Sequence, residues 1–193
     1  MHESNRRHPD TSRVSRRAPV LILPGYADSG PDHWQSYWER ADPTCRRVVQ
    51  DDWLAPRREA WLAALERCVA ECAMPPVLVA HSLACALVAH WASRPGSVAK
   101  GALLVAPADV DSPIRTPDEV RSFSPIPLRQ LSFPSVLVAS TDDPFAPLDR
   151  AAEFAAAWGS RMVTLERAGH INADAGFGPW PEGRRLLDEL VAD

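Results

Sequence analysis

Short, continuous apolar runs recur along this chain. Between them lie longer segments in which apolar positions return every three or four residues. Val20-Leu21-Ile22-Leu23, stopped by Pro24-Gly25, reads as a strand buried on both faces. Arg47 to Gln50, Val77 to Ala80, Gly101 to Ala106, Val136 to Ser140 and Met162 to Leu165 read as five more strands. Helices are predicted over Asp32–Arg40, Arg57–Ala73, Leu83–Trp91, Leu148–Trp158 and Pro181–Val191. In the second of these, Ala60, Trp61, Ala64, Leu65, Cys68, Val69 and Cys72 keep helical spacing until Pro75-Pro76. Strands without polar alternation, alternating with helices, imply an α/β fold: a mostly parallel sheet of about six strands with helices on both faces. Ala108 to Ser132, broken by Pro113, Pro117, Pro125 and Pro127, is the longest irregular stretch; Pro117 to Phe123 has room for a helical turn. There is no room for a large cap domain.

Residues 1–17 differ from the rest. They hold five arginines against Glu3 and Asp10 and lack apolar periodicity, so a disordered basic leader is expected, followed by one domain over 18–193. A 193-residue chain with 46% apolar and 24% charged residues suits one globular core. The net charge of −4 argues against a nucleic-acid partner. No apolar run approaches membrane-spanning length, so no membrane partner is expected. Cys45, Cys68, Cys72 and Cys85 match no zinc spacing, and a reduced, cytoplasmic setting is the simplest reading. Neither a metal site nor a glycine-rich phosphate loop appears, so no cofactor is expected.

The chemistry centres on Ala80-His81-Ser82-Leu83-Ala84-Cys85, where a predicted strand turns into a predicted helix. A serine flanked two residues either side by very small side chains matches a nucleophile elbow, with alanines where glycines are usual. A triad in the chain order serine, acid, histidine needs a base downstream of Ser82. Only His90 and His170 follow it. His90 falls two turns into the serine's own helix, which leaves His170. The acid belongs after the fifth strand, in Ser140-Thr141-Asp142-Asp143-Pro144-Phe145. The pattern Gly-x-x-Asp-x-x-Val-Pro laid over this stretch favours Asp143, with Asp142 as the alternative. Oxyanion donors are expected from the amides of Leu83 and Tyr26, with Gly25 permitting the tight turn. His81 is expected to pack and Cys85 to be a bystander.

These residues resemble the small bacterial serine hydrolases grouped with retinoblastoma-binding protein 9. The shared motifs are Leu23-Pro24-Gly25-Tyr26, Asp32-His33-Trp34, Gln50-Asp51-Asp52-Trp53, the Ser82 turn, Leu104-Val105-Ala106-Pro107, the acid loop, Ala157-Trp158-Gly159, Gly169-His170-Ile171-Asn172 and Gly176 to Pro181. The resemblance implies a minimal α/β-hydrolase in which Ser82, Asp143 and His170 form the triad. Ala84 stands where the family often has glycine. A small acyl ester is the expected substrate, in a shallow pocket walled by the 108–132 loop and by Gly25, Trp34, Phe177 and Trp180. A non-catalytic interaction module on the same scaffold is the alternative, which leaves room for a protein partner.

Overall fold

A computed structural model describes residues 17–192; the basic leader expected over 1–17 lies outside the described residues except for Arg17. Twelve elements follow one another. They are β1 (Val20–Leu23), α1 (Trp34–Ala41), β2 (Cys45–Arg47), α2 (Arg58–Ala70), β3 (Val77–His81), α3 (Leu83–Ala92), β4 (Gly101–Val105), a 3-10 helix (Asp118–Phe123), β5 (Ser135–Ser140), α4 (Leu148–Trp158), β6 (Arg161–Leu165) and α5 (Pro181–Ala192). The six strands form one sheet in the order β2-β1-β3-β4-β5-β6, and every pairing is parallel.

The unbroken apolar strands follow from burial on both faces. Leu21, Leu23, Leu78, Ala80, Leu104 and Leu137 point to one side, where Trp61 and Leu65 of α2, the length of α3, and Phe154 and Trp158 of α4 cover them. Val20, Ile22, Val79, Leu103 and Val138 point to the other, under Trp34 and Trp38 of α1 and Leu187 and Leu190 of α5. α3 is apolar on nearly every face because it is the most enclosed helix; eight of its ten residues are buried.

β2 starts two residues earlier than its apolar letters suggest. Cys45 pairs with Val20, and the Val48 amide still donates to the Ile22 carbonyl at 2.9 Å, but the chain then peels off the sheet edge and leaves Val49 exposed. α2 likewise ends at Ala70, before Cys72.

From β1 the chain moves outward one way to β2, and from β3 it moves the other way to β4. The C-terminal ends of β1 and β3 therefore flank a topological switch point, the crevice where parallel α/β sheets bind ligands. Two loops meet there: Pro24 to Gly30 after β1, and the turn at Ser82 after β3.

Candidate active site

Ser82 leaves β3 with φ 57° and ψ −121°, a backbone state that a side-chain-bearing residue adopts only under constraint. The constraint is visible. The Ser82 amide donates to the Val105 carbonyl of β4, and α3 begins at the next residue. Ala80 and Ala84 flank the turn and are fully buried. Gly25 presses so close that a Cβ there would meet the His81 carbonyl oxygen and Ser82 Cβ at 2.9 Å each, and the Leu83 amide nitrogen at 3.3 Å. The β1 loop and the turn therefore touch through bare backbone. As the first residue of α3, Leu83 has an amide with no acceptor inside its helix.

His170 reaches Ser82 from the far side of the sheet's end. Its Nε2 lies 2.9 Å from Ser82 Oγ, and its Nδ1 lies 2.9 and 3.0 Å from the two carboxylate oxygens of Asp143. With Nδ1–H donating to the carboxylate, Nε2 is free to accept the serine hydroxyl proton. Asp143 is buried, and its Oδ1 also accepts the Phe145 amide at 2.9 Å.

The adjacent Asp142 faces elsewhere. It accepts the Ser140 hydroxyl at 2.7 Å and the Gly169 amide at 2.8 Å, and these two bonds hold its carboxyl below the ordinary carboxylate range. Asp142 thus ties the β5 loop to the loop carrying His170. Ser140 Oγ adds to this by accepting the Ala168 amide at 2.9 Å.

The histidine loop is clamped from behind. The His170 carbonyl accepts from His81 Nε2 at 2.9 Å and the Ile171 carbonyl from Trp34 Nε1 at 2.8 Å, both buried. His81 thus joins the nucleophile turn directly to the backbone of the base, a task its assignment to packing did not include. Burial, together with the nearby His170 and His33, holds the His81 imidazole far below its ordinary range, so it stays neutral.

The β1 loop is equally fixed. Ala27 and Asp28 both have φ 64°. Arg47, reaching over from β2, donates to the Asp28 carboxylate at 2.6 Å, the Ser29 carbonyl at 3.0 Å, Ser36 Oγ at 2.7 Å and Glu39 at 2.9 Å. Beneath it the fully buried Gln35 donates to the Leu23 and Val79 carbonyls at 3.1 Å each and accepts the Ser29 hydroxyl at 2.7 Å. No local sequence pattern marks Arg47 or Gln35, because their partners come from separate elements.

A cavity of about 200 Å³ opens on Ser82. Leu83, Val110, Pro117, Val120 and Phe145 supply apolar wall, and Tyr26, Asp28, His33, His81 and Asn172 supply polar wall. The 108–132 segment lines it as expected, but the aromatic residues assigned to it do not. Trp34 is fully buried on the second face of the sheet, with its ring 4.6 Å from Trp38 and 5.2 Å from Trp180. Phe177 packs edge-on against Trp180 at 5.6 Å. These rings hold the segment after His170 onto α1. The reason is area: large aromatic surfaces gain more in the core than on a cavity rim. Gly25 lies against the turn backbone and not in the cavity wall. Among the described residues no group of three His, Cys, Asp or Glu is arranged to hold a metal ion, and no helix is long and apolar enough to cross a membrane.

The serine hydrolase family model matches residues 20–189. The chain belongs to the serine hydrolase family. A YdeN-like hydrolase from Pectobacterium atrosepticum is 35% identical, with 92% of each chain covered and a TM-score of 0.83. The ydeN product of B. subtilis is 21% identical over 91% of this chain and all of its own, with a TM-score of 0.74. Est1E from Butyrivibrio proteoclasticus, at 12% identity and a TM-score of 0.66 over 92% of this chain and 90% of its own, shares the fold. Comparison with curated proteins found no match. This serine hydrolase is therefore an enzyme with the α/β-hydrolase fold and no large cap.

Proposed function

We propose that this enzyme cleaves a small carboxylic ester through a Ser82–His170–Asp143 triad and an acyl-enzyme intermediate. The observation that carries this reading is the unbroken chain of contacts, 2.9 Å from Ser82 Oγ to His170 Nε2 and 2.9–3.0 Å from His170 Nδ1 to Asp143, starting at a strained strand-to-helix turn.

As Ser82 Oγ attacks the acyl carbon, its proton passes to His170 Nε2 and the carbonyl π pair moves onto oxygen. Asp143 accepts the Nδ1–H bond, keeps that tautomer and stabilises the imidazolium. The amides of Leu83 and Tyr26 receive the oxyanion, supported by the close fit of Gly25 to the turn. Collapse re-forms the carbonyl and breaks the bond to the leaving oxygen, which takes the proton from His170. Water then attacks the acyl-enzyme with His170 again as base, and the acid is released as Ser82 regains its proton. Amides and thioesters follow the same course.

The free thiols of Cys45, Cys68, Cys72 and Cys85 support a reducing, cytoplasmic setting. The compact cavity supports a small-molecule substrate with a short acyl group.

A fluorophosphonate probe tests the reading. Wild-type protein is expected to label at Ser82 and Ser82→Ala to remain unlabelled, with loss of nitrophenyl ester hydrolysis. Folded wild-type protein that neither labels nor hydrolyses short esters would overturn the assignment.

A further inference from the structure

The polar wall of the cavity contains one group whose bonding is incomplete. His33 is 5% exposed and belongs to that wall. Its Nδ1 accepts the Gln35 amide at 3.2 Å, capping α1. A neutral imidazole has one accepting and one donating nitrogen, so this cap places the proton on Nε2. His33 Nε2 is buried and has no hydrogen-bond partner among the described residues.

Burial first, then the charges of Arg47 and His170, hold the His33 pKa down to about 4, so near neutral pH the ring is an uncharged donor. It lies beside the reacting centre: the His33 and His81 rings are 4.8 Å apart, and the His81 and His170 rings are again 4.8 Å apart. Native proteins rarely leave a buried donor unpaired unless a ligand or water completes it. Because His33 lines the cavity, an acceptor on a substrate that displaces the groups now shielding Nε2 can complete it.

The remaining wall selects the kind of acceptor. It contains no lysine or arginine, and the carboxylate of Asp28 is already paired with Arg47 at 2.6 Å, so nothing in the wall offers a counter-charge to an anionic group. Tyr26 and Asn172 add further uncharged polar groups.

We propose that His33 is a specificity-determining residue, donating Nε2–H to an uncharged second oxygen of the substrate (a hydroxyl, ether or carbonyl beyond the scissile ester). The enzyme then selects oxygenated esters over hydrocarbon esters of equal size. This inference rests on the Ser82 reading above. Sites built to hydrogen-bond a substrate atom reject analogues lacking it far more strongly than apolar pockets reject a missing methylene.

Two matched ester pairs test it: nitrophenyl methoxyacetate against nitrophenyl butyrate on the acyl side, and 2-methoxyethyl butyrate against butyl butyrate on the alcohol side. The ratio of kcat/KM within a pair, compared between wild type and variant, cancels intrinsic reactivity. His33→Asn keeps a side-chain acceptor for the α1 cap but cannot reach out with a donor where Nε2 stands. In at least one pair the preference for the oxygenated ester is expected to fall about tenfold in His33→Asn, with fluorophosphonate labelling of Ser82 retained. His33→Ser, another capping residue, carries the same comparison should His33→Asn not fold. A folded, labelling variant whose two ratios both stay within twofold of wild type overturns the inference and leaves the Ser82 reading standing. Wild-type protein that fails to label brings down the Ser82 reading itself.

Discussion

Adding one methyl group at Gly25 should separate the two backbones that the proposed mechanism requires to touch. In Gly25→Ala the new Cβ would stand 2.9 Å from both the His81 carbonyl oxygen and Ser82 Cβ. Ordinary contact begins near 3.4 Å, so one of the loops must retreat by about 0.5 Å. Neither neighbour can swing away, since one is backbone and the other is the first side-chain atom of the nucleophile. The movement falls where the Leu83 and Tyr26 amides must converge on one oxygen. Such donors act at about 2.7–3.1 Å, and losing one entirely costs about 10²–10³ in kcat. A half-ångström retreat weakens a donor without removing it, so a kcat loss of about tenfold to hundredfold is expected, or about 1.4–2.7 kcal/mol. Overpacking should also lower stability by about 1–3 kcal/mol. The assay is steady-state hydrolysis of nitrophenyl acetate at a temperature where circular dichroism shows the variant folded, with kcat and KM resolved. Gly30→Ala is the control, because a Cβ there would meet nothing within 4 Å. A folded Gly25→Ala enzyme with kcat within twofold of wild type would refute the reasoning.

Two further outcomes follow from the acid loop and the buried histidines. Asp143→Asn should lower kcat about 10⁴-fold by losing the charge that orients and stabilises His170, whereas Asp142→Asn, whose amide oxygen can still accept from Ser140 and Gly169, should lose less than about tenfold; equal losses in kinetic assays would contradict the division of labour. His33 titrates near 4 in the folded protein because of burial and the Arg47 charge, against 6.5 unfolded, so the unfolded state binds more protons as pH falls below 6.5 and stability must fall with it. By pH 5 this amounts to about 2 kcal/mol from His33, with His81 adding in the same direction. The melting temperature should drop by several degrees between pH 7 and pH 5, and by less in His33→Asn; parallel curves for the two proteins would contradict it.

The sheet and its helices were legible because parallel strands covered on both faces must be apolar without interruption, and runs such as Val20–Leu23 and Val77–Ala80 carry that requirement in four letters. His170 could be singled out as the partner of Ser82 because chain order leaves only His90 beside it, and His90 lies two turns into the serine's own helix. The edge was less legible: β2 pairs through Cys45 and Arg46, since an edge strand needs apolar letters on fewer sides.

What only the tertiary structure decided is how neighbouring residues divide their partners. Asp142 and Asp143 are adjacent and chemically identical, yet one meets the Gly169 amide and the other His170, because successive side chains in a turn point different ways. Sequence alone puts Trp34 and Trp180 in the pocket wall, and only the packing of α1 against the segment after His170 places them inside. Arg47 carries no signature, and His33 carries only its place in the shared Asp32-His33-Trp34 motif, which names no partner. Their roles arise from residues distant in the chain converging at the end of the sheet, and hydrophobic periodicity, a local property, holds no information about which polar groups meet there.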